Sequence, residues 1–502
     1  MGSEVRKIGK LLIANRGEIA LRVIRTCREL GIRSVAVYSE IDRTALHVLS
    51  ADEAYPLGGA TPRESYLNQK KIVEIALSGS VDAIHPGYGF LAENPDFAER
   101  VQKAGLRFVG PSPSAIRMMG DKTQARKVAK RLRIPTVSGT LEPLQDAAQG
   151  LKEVDQLGFP VLLKAAAGGG GKGMRVVRTA ADFESAFRTA QSEARSAFGD
   201  DRVYIEKYLD GPRHIEMQIL GDGHGNVVYL GERECSIQRR HQKVIEESPS
   251  VAVGAELRQM LGDSAVRLAK GAGYSSAGTM EFLLDSDGQF YFLEMNTRLQ
   301  VEHPVTEETT GIDLVRQQIL VAEGEKLTFR QEDVKHRGHS IECRICAEDP
   351  ENGFIPSTGV ITHYSIPQGK TRVENGFQVG DEISVYYDSL IAKVISWGET
   401  RPDAIAAMKR SLREFRIEGV KTTIPFCEYV LGHEQFVKGT FNTSFVDKHF
   451  DQAVLSRTSD EEILAAALTA TLLSRNNGSV NHRHDDSPPS NWRTGRLETH
   501  RS

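Results

Sequence analysis

The sequence has few cysteines, almost no net charge and no long apolar run. Five cysteines in 502 residues, an odd number, do not make the disulfide framework of a small secreted protein. Lys and Arg number 63 against 67 Asp and Glu, and the formal net charge of −4 excludes a broadly basic nucleic-acid-binding protein. No apolar run approaches the roughly 20 residues of a membrane span. We therefore expect neither nucleic acid nor a membrane as a partner.

Targeting segments are also lacking. The N-terminal residues MGSEVRK contain no apolar core of a signal peptide. A myristoylation pattern starting at Gly2 needs Ser or Thr at the sixth position, where this chain has Arg6. These absences predict a cytoplasmic protein.

The cysteine pair Cys343 and Cys346 forms a C-x-x-C motif, a spacing that occurs in zinc and redox sites. Residues 340–347 alternate like a strand, which would point the two side chains to opposite faces. No second Cys or His pair lies nearby to complete four zinc ligands. We favour a structural role for this pair, with a metal or redox site as the alternative.

Glycine is the residue in excess: 46 glycines exceed the usual share of about 7%. The length predicts about three domains. The first, residues 1–115, is expected to be a Rossmann-like parallel α/β domain because short apolar strands alternate with an amphipathic helix that Gly31 ends. It has no G-x-G-x-x-G motif for a dinucleotide. The predicted elements are strands at 10–15, 34–38, 81–85 and 106–109 and a helix at 18–30.

The remaining chain predicts an α+β organisation. Residues 120–335 combine longer strands, glycine-rich loops and hairpin turns, and residues 336–450 are rich in strands before an amphipathic helix at 403–415. Residues 451–502 are a tail, with a helix expected at 460–473 and disorder after it, because the final stretch is too polar to bury a core.

A glycine-rich loop gives the first chemical signal. Gly168–Gly171 and Gly173 follow Lys164, with Lys172 between them, and strand-like sequences stand on both sides. Backbone amides of such a loop can close around phosphate oxygens. The pattern is not a Walker A loop, which leads into a helix. We favour phosphate binding over a plain flexible hairpin tip.

Two carboxylates give the second signal. Apolar strands flank Asp287 and Gly288, a favoured two-residue hairpin turn, and pairing outward from it puts Glu281 opposite Glu294. Their Cβ atoms would then lie about 5 Å apart, so a compensating cation is needed. Mg²⁺ suits carboxylates shared with nucleotide phosphates, and Asn296 would add an oxygen on the same face. The alternative is a pair of exposed edge carboxylates.

The third signal is the polar run that follows. Asn296, Arg298, Gln300 and Glu302 share one face if the strand continues. The Arg fork and the Gln amide suit a small oxyanion, and Glu302 could remove a proton from it.

Two shorter segments fit the same site. The basic stretch 238–243, which includes Gln238, His241 and Lys243, is consistent with phosphate or anion binding. Glu206, Lys207 and Leu209 lie at the predicted end of a strand, where backbone groups could meet an adenine edge.

At these residues the sequence resembles the biotin carboxylase family of the ATP-grasp superfamily. The resemblance covers about residues 7–450 and implies an N-terminal α/β domain, a central ATP-grasp domain with a glycine-rich lid at about 137–205, and a C-terminal domain. Three alanines precede the four glycines, where some relatives have a longer glycine run. The matching segments are IANRGEIA, HPGYGFLAEN, MGDK, AGGGGKGM, EKYL, SIQRRHQK, EMNTRLQVEHPVTE, ECRICAEDP and YYDSLIAK.

The resemblance implies roles for individual residues. Glu302 would be the general base, and Arg344, inside the C-x-x-C, would stabilise the biotin enolate. Bicarbonate would bind beside these two residues, at Lys243, Arg298, Gln300 and the backbone of Val301. Mg²⁺ or Mn²⁺ would bind Glu281, Glu294 and Asn296. The expected ATP site comprises Lys122, Lys164, Gly170, Gly171, Glu206, Lys207, Leu209, His214, Gln238 and His241.

The implied activity is ATP-dependent carboxylation of biotin, carried on a biotin carboxyl carrier protein, with bicarbonate as the carbon source and carboxyphosphate as the intermediate. The other expected partners are a second copy of the chain and a carboxyltransferase subunit, because no carrier or carboxyltransferase segment is recognised in the sequence. Acetyl-CoA carboxylase of fatty-acid synthesis is the favoured system, with propionyl-CoA, methylcrotonyl-CoA and pyruvate systems as alternatives. Two other classes remain open: an ATP-grasp ligase for a different carboxylate, and a non-enzymatic nucleotide-binding protein.

Overall fold

The computed structural model describes residues 5–140, 142–165, 174–455, 464 and 467–472. It divides into two units, Met1–Gln452 and Ala453–Ser502. In the second unit residue 464 and residues 467–472 are helical, as predicted. The rest of the helix predicted at 460–473 and the predicted disordered segment lie outside the described residues. Among the described helices, none is both long and apolar enough to cross a bilayer.

The N-terminal part of the chain forms a five-stranded parallel sheet in the order β3-β2-β1-β4-β5. The predicted parallel α/β architecture is therefore confirmed. Helix α1 ends where Gly31 takes a left-handed conformation with φ of 70°, which glycine adopts without steric cost. The elements are β1 (Lys10–Ile13), α1 (Gly17–Leu30), β2 (Arg33–Tyr38), α2 (Leu46–Ser50), β3 (Glu53–Pro56), α3 (Gln69–Ser78), β4 (Ala83–His85), α4 (Pro95–Lys103), β5 (Arg107–Phe108) and α5 (Pro113–Gly120).

The central part contains an antiparallel sheet of three strands, in the order β7-β6-β8, and most of a larger sheet. Strands β6 and β7 flank the glycine-rich segment, as predicted, and they pair antiparallel. The segment itself, residues 166–173 with Gly170 and Gly171, lies outside the described residues. The elements are α6 (Lys122–Arg131), α7 (Ala147–Leu157), β6 (Val161–Ala165), β7 (Met174–Val177), α8 (Ala180–Phe198), β8 (Val203–Lys207), β9 (Arg213–Gly221), β10 (Val227–Arg239), β11 (Gln242–Ser248), α9 (Ala255–Gly271), β12 (Ser276–Leu284), β13 (Phe290–Asn296), α10 (His303–Thr310) and α11 (Leu314–Ala322).

The C-terminal part is rich in strands and ends in helices, in agreement with the predicted fold class. Its helix α12 covers the position of the helix predicted at 403–415. The elements are β14 (His339–Cys346), β15 (Glu348–Asp349), β16 (Ile355–Pro356), β17 (Gly359–Val360), β18 (His363–Ser365), β19 (Arg372–Asn375), β20 (Glu382–Ile383), β21 (Leu390–Gly398), α12 (Arg401–Glu414), β22 (Arg416–Glu418), α13 (Ile424–Gly432), α14 (Glu434–Lys438) and α15 (Phe445–His449).

One eight-stranded sheet joins the central and C-terminal parts, in the order β13-β12-β9-β10-β11-β14-β21-β19. Strand β11 pairs antiparallel with β14, so the sheet continues across the boundary expected near residue 335. Along β14, Ile341, Cys343 and Ile345 enter an apolar core shared with α12 and α13. Because strand side chains alternate, Glu342 and Arg344 lie on the opposite face. This polar face forms one wall of the site described next.

Candidate active site

A cavity of about 990 Å³ lies in the first unit, lined by side chains from all three parts of that unit. Every predicted site residue that the structure describes lines this cavity, with one exception. The exception is Glu302, which is fully buried and contacts the lining residues Lys243 and Arg344. The residues predicted from separate segments of the sequence are thus brought together in space.

The carboxylate pair lies on the β12–β13 hairpin, and the predicted pairing of Glu281 opposite Glu294 is confirmed. The predicted two-residue turn is wrong. Asp285 N–H donates to the Gln289 carbonyl at 2.9 Å, which closes a loop one residue longer. The register near the loop is therefore shifted, and an extra residue in β13 between Phe292 and Glu294 restores it. Such a bulge is a usual way to re-aim side chains beside a site.

Each carboxylate of this pair already has cationic neighbours. Glu294 forms an ion pair with Lys122 at 2.8 Å, and Glu281 contacts His214 at 3.1 Å. Asn296 lies beside them and donates from its amide to Glu281 at 2.6 Å. Burial alone would raise the pKa of Glu281, but Lys243 and His214 outweigh burial and lower it. The three side chains offer hard oxygen donors, which is the donor set that Mg²⁺ prefers, so the residues present fit this ion.

The ammonium group of Lys243 is surrounded by three buried carboxylates. It lies 3.1 Å from Glu281 and 2.9 Å from Glu302, and it also contacts Glu216. Glu216 is fully buried and was not predicted, because its segment IEMQ has no distinctive motif. Its position became evident only through the pairing of β9 with β12, which puts Glu216 opposite Glu281.

Replacing Lys243 by Met should strongly destabilise the protein in the absence of Mg²⁺. The change leaves three buried carboxylates without their shared cation, and removing one partner of a buried ion pair typically costs about 3–5 kcal/mol. Chemical denaturation gives the free energy of unfolding of both proteins. The same substitution at exposed Lys71 is the control, and an equal effect of the two changes would refute the assigned role.

The side chains predicted to bind an oxyanion converge by a route that differs from the prediction. Strand β13 ends at Asn296, so the expected continuation of strand geometry to Glu302 is wrong. The chain leaves the sheet and turns into α10, for which Glu302 is the N-cap residue. The guanidinium of Arg298 nevertheless donates to Gln300 at 2.8 Å, to Asn296 at 3.1 Å and to Glu93 at 2.9 Å. Side-chain hydrogen bonds, rather than strand alternation, gather this group.

Glu302 lies between two cations. One carboxylate oxygen accepts from Lys243 at 2.9 Å and the other accepts from Arg344 at 2.8 Å. Burial would raise the pKa of Glu302, but the charges of Lys243 and Arg344 outweigh burial and hold that pKa well below its usual range. Glu302 is therefore ionised at neutral pH, and both contacts hold it against the side chains that line the cavity.

Arg344 is fixed from its other side as well. Its Nε donates to Glu246 of β11 at 2.6 Å, while its terminal nitrogen reaches Glu302. Cys343 is buried in the apolar core and Cys346 is partly exposed, on either side of Arg344. The two cysteines thus lie on the strand that carries Arg344, and only Cys343 enters the apolar core, in agreement with the predicted alternation.

The nucleotide-binding candidates line the same cavity. Glu206 pairs with Lys164 and, at 2.9 Å, with Arg126. Gln238 and His241 belong to the β10–β11 hairpin, and Leu209 follows β8 along the cavity wall. The Lys207 ammonium instead donates to the backbone carbonyls of Gly158 and Phe159, at 3.0 and 3.1 Å. Its side chain therefore braces the strand pair β6–β8.

A further group that sequence analysis missed supports Val301. Lys393 is fully buried, donates to the Val301 carbonyl at 2.7 Å and pairs with Glu18 at 3.2 Å. Tyr88 donates to the same Glu18 carboxylate. Glu18, Tyr88 and Lys393 stand in the segments IANRGEIA, HPGYGF and SLIAK, which were noted for their resemblance and not for a role.

Comparison with known families assigns all three parts of the first unit. Residues 7–116 match the family described as biotin carboxylase, N-terminal domain, and residues 342–448 match the biotin carboxylase C-terminal domain. Residues 121–330 match the ATP-binding domain of the carbamoyl-phosphate synthase L chain.

Named relatives agree with these matches. Biotin carboxylase 1 of Bacillus subtilis is 53% identical over 88% of this chain and 99% of its own length. The small subunit of 2-oxoglutarate carboxylase of Hydrogenobacter thermophilus is 48% identical, over 93% of this chain and 98% of its own. The biotin carboxylase domain dimer of that carboxylase, solved with MgADP, ADP and bicarbonate, superposes with a TM-score of 0.87 at 48% identity. It is matched over its full length by 91% of this chain.

Proposed function

The chain belongs to the biotin carboxylase family of ATP-dependent ligases. We propose that the residues around its cavity carry out the ATP-dependent carboxylation of biotin by the steps below. The observation that carries the proposal is the position of Glu302, buried between Lys243 and Arg344 and linked through Lys243 to Glu281. A base, an anion site, a metal-binding pair and a nucleotide site then follow one another along one cavity.

In the first step Glu302 removes the proton of bicarbonate. Lys243, Arg298, Gln300 and the Val301 N–H hold this anion, and the hydrogen bond from Lys393 to the Val301 carbonyl fixes the orientation of that residue. The resulting oxyanion attacks the γ-phosphorus of ATP, the bond from that phosphorus to the β,γ-bridging oxygen breaks, and carboxyphosphate and ADP form. Positioning and charge neutralisation supply most of the rate enhancement of such phosphoryl transfers.

Glu281, Glu294 and Asn296 would hold Mg²⁺, or Mn²⁺ in its place. When bound, the ion would supply positive charge that neutralises the nucleotide phosphates. Lys122 and Lys164 add their charges to the same end of the cavity, and Glu206 holds Lys164 in place. Leu209, His214, Gln238 and His241 complete the nucleotide site, together with Gly170 and Gly171.

Replacing Glu294 by Gln should raise the Mg²⁺ concentration needed for half-maximal ATP cleavage. The amide keeps the size of the side chain but removes its charge, which weakens binding of a hard cation. A Mg²⁺ titration of ATP cleavage measures the effect. Asp287→Asn in the loop of the same hairpin is the control, and identical titration curves for wild type and Glu294→Gln would contradict the assignment.

In the second step carboxyphosphate breaks down to CO₂ and phosphate. The phosphate takes the N1′ proton of biotin, and the biotin enolate, stabilised by the Arg344 guanidinium, forms a bond to CO₂. Enclosure within the cavity protects the labile intermediate from water. A carrier-bound biotin must therefore reach Arg344.

We further propose that the chain works with a biotin carboxyl carrier protein and a carboxyltransferase subunit, as a homodimer, within acetyl-CoA carboxylase of fatty-acid synthesis. A relative named only as a biotin carboxylase, matched over 99% of its own length, supports the biotin carboxylase role within such a complex. Relatives of similar identity are named for pyruvate, methylcrotonoyl-CoA and 2-oxoglutarate carboxylases. The alternatives are these three systems and a propionyl-CoA carboxylase. Transfer of labelled carbon from bicarbonate to each acceptor by the native complex decides between them.

Omission assays on the isolated chain test the activity itself. We expect ATP cleavage to depend on bicarbonate and to be stimulated by free biotin. An ATP-grasp ligase for a different carboxylate would instead cleave ATP without stimulation by biotin and with dependence on an added amine.

A further inference from the structure

Two buried glutamates face each other behind the catalytic arginine. Glu246 of β11 and Glu342 of β14 are direct cross-strand partners, and both are fully buried. Side chains in such a pair have Cβ atoms about 5 Å apart, and two like charges at that spacing destabilise a sheet. Neither residue binds substrate in the mechanism above.

A bulge in β11 puts Glu246 on the face of the cavity. The pairing of β10 with β11 shifts by one residue at Val244, and Val244 and Ile245 both enter the apolar core. Lys243 and Glu246 consequently lie together on the opposite face. There, Glu246 reaches Arg344 and Lys243 reaches Glu302.

The two carboxyl groups differ in their partners. Glu246 accepts a hydrogen bond from Arg344 Nε at 2.6 Å through one oxygen. Neither oxygen of Glu342 has a hydrogen-bonding partner among the described residues. Lys393, a cation that faces Glu342, is engaged by Glu18 and the Val301 carbonyl. A buried carboxylate without hydrogen bonds is far less stable ionised than neutral.

For both carboxyl groups, burial outweighs the neighbouring cations and raises the pKa. Glu342 faces Lys393, Arg344, Glu246 and Glu302, and burial together with the two glutamates raises its pKa well above the usual value of 4.5. Glu246 faces Arg344, Lys243 and Glu302, and burial raises its pKa to about 7 despite the two cations. If one of the two carboxyl groups carries a proton, that group is therefore Glu342, because Glu246 is bonded to the Arg344 guanidinium.

We propose that Glu342 is held as the neutral acid, so that Glu246 beside it stays ionised and positions Arg344 toward the cavity. Glu246 is then a positioning residue, acting through Arg344, and Glu342 is the proton-bearing group that makes this arrangement stable. The link to biotin rests on the function proposed above, whereas the protonation of Glu342 does not.

The protonation is tested by thermal unfolding as a function of pH. Unfolded Glu342 loses its proton near its ordinary pKa, but the folded protein keeps it, so rising pH favours unfolding of the wild type. Glu342→Gln mimics the neutral acid and escapes this effect. The difference in melting temperature, Glu342→Gln minus wild type, should therefore increase steadily between about pH 5 and about pH 8. If the melting temperatures of Glu342→Gln and the wild type changed in parallel with pH, the proposal would be overturned. Glu399→Gln, at an exposed position, is the control and should change in parallel with the wild type.

The positioning is tested by comparing two activities of Glu246→Gln. Losing the charge-assisted bond to Arg344 should lower kcat/KM for biotin by about tenfold, and lower ATP cleavage with bicarbonate alone much less, because Lys243 still holds Glu302. No loss with biotin, or equal loss of both activities, would overturn the positioning role. If the wild type shows no response to biotin, the proposed function fails, and the unfolding comparison still decides the protonation of Glu342.

Discussion

Glu302→Gln is expected to lower bicarbonate-dependent ATP cleavage by about 10²- to 10⁴-fold, the range that a positioned general base contributes. Gln keeps the side-chain size, and its carbonyl oxygen can still accept a hydrogen bond from Lys243 or from Arg344, but its NH₂ group cannot accept from the other cation and cannot take the proton of bicarbonate. The loss should appear with and without biotin, because proton removal precedes both fates of carboxyphosphate. Initial rates of ADP release at saturating ATP measure it.

Glu308→Gln, on the helix that Glu302 caps, is the matched control and should retain wild-type rates. Circular dichroism and the melting temperature separate lost chemistry from lost folding. Undiminished ATP cleavage by Glu302→Gln would remove Glu302 from the mechanism.

Arg344→Lys should separate the two half-steps of the reaction. The planar guanidinium of Arg344 spans Glu246 and Glu302 with different nitrogens, and a lysine ammonium cannot bond both in this geometry. Losing the group that stabilises the biotin enolate should reduce biotin carboxylation by about 10²- to 10³-fold, as is found for single groups that stabilise an oxyanion. ATP cleavage with bicarbonate alone should persist, and the ratio of the two rates is the measurement.

Lysine is chosen because a neutral residue would leave Glu246 and Glu302 buried without their shared cation. Arg330→Lys, at an exposed position, is the control. A parallel loss of both activities in Arg344→Lys would mean that Arg344 serves the first step, or the fold, and not biotin.

Local sequence patterns predicted the helices and strands that depend only on residues close together in the chain. The helix ending at Gly31 and the parallel strands around it follow from periodicity and a glycine stop. The pairing of Glu281 with Glu294 was predicted from a turn that does not form, and it holds because a bulge after Phe292 cancels the error. Bulges leave no reliable trace in one sequence, since they depend on the partner strand.

The site was predicted where its residues are adjacent in the chain, as from Asn296 to Glu302. It was missed where partners are distant: Glu246, Glu342 and Lys393 meet only because β11, β14 and β21 are neighbours in one sheet. The family resemblance singled out Arg344, but nothing in its own segment showed that Glu302 and Glu246 lie at either end of the guanidinium.

The most direct test of the whole account is the fate of the carbon of bicarbonate. With labelled bicarbonate, ATP, Mg²⁺ and free biotin, the chain should form labelled carboxybiotin, and omission of any one component should abolish the product. ATP cleavage that leaves biotin unlabelled, or that moves the label to a different acceptor, would contradict the account.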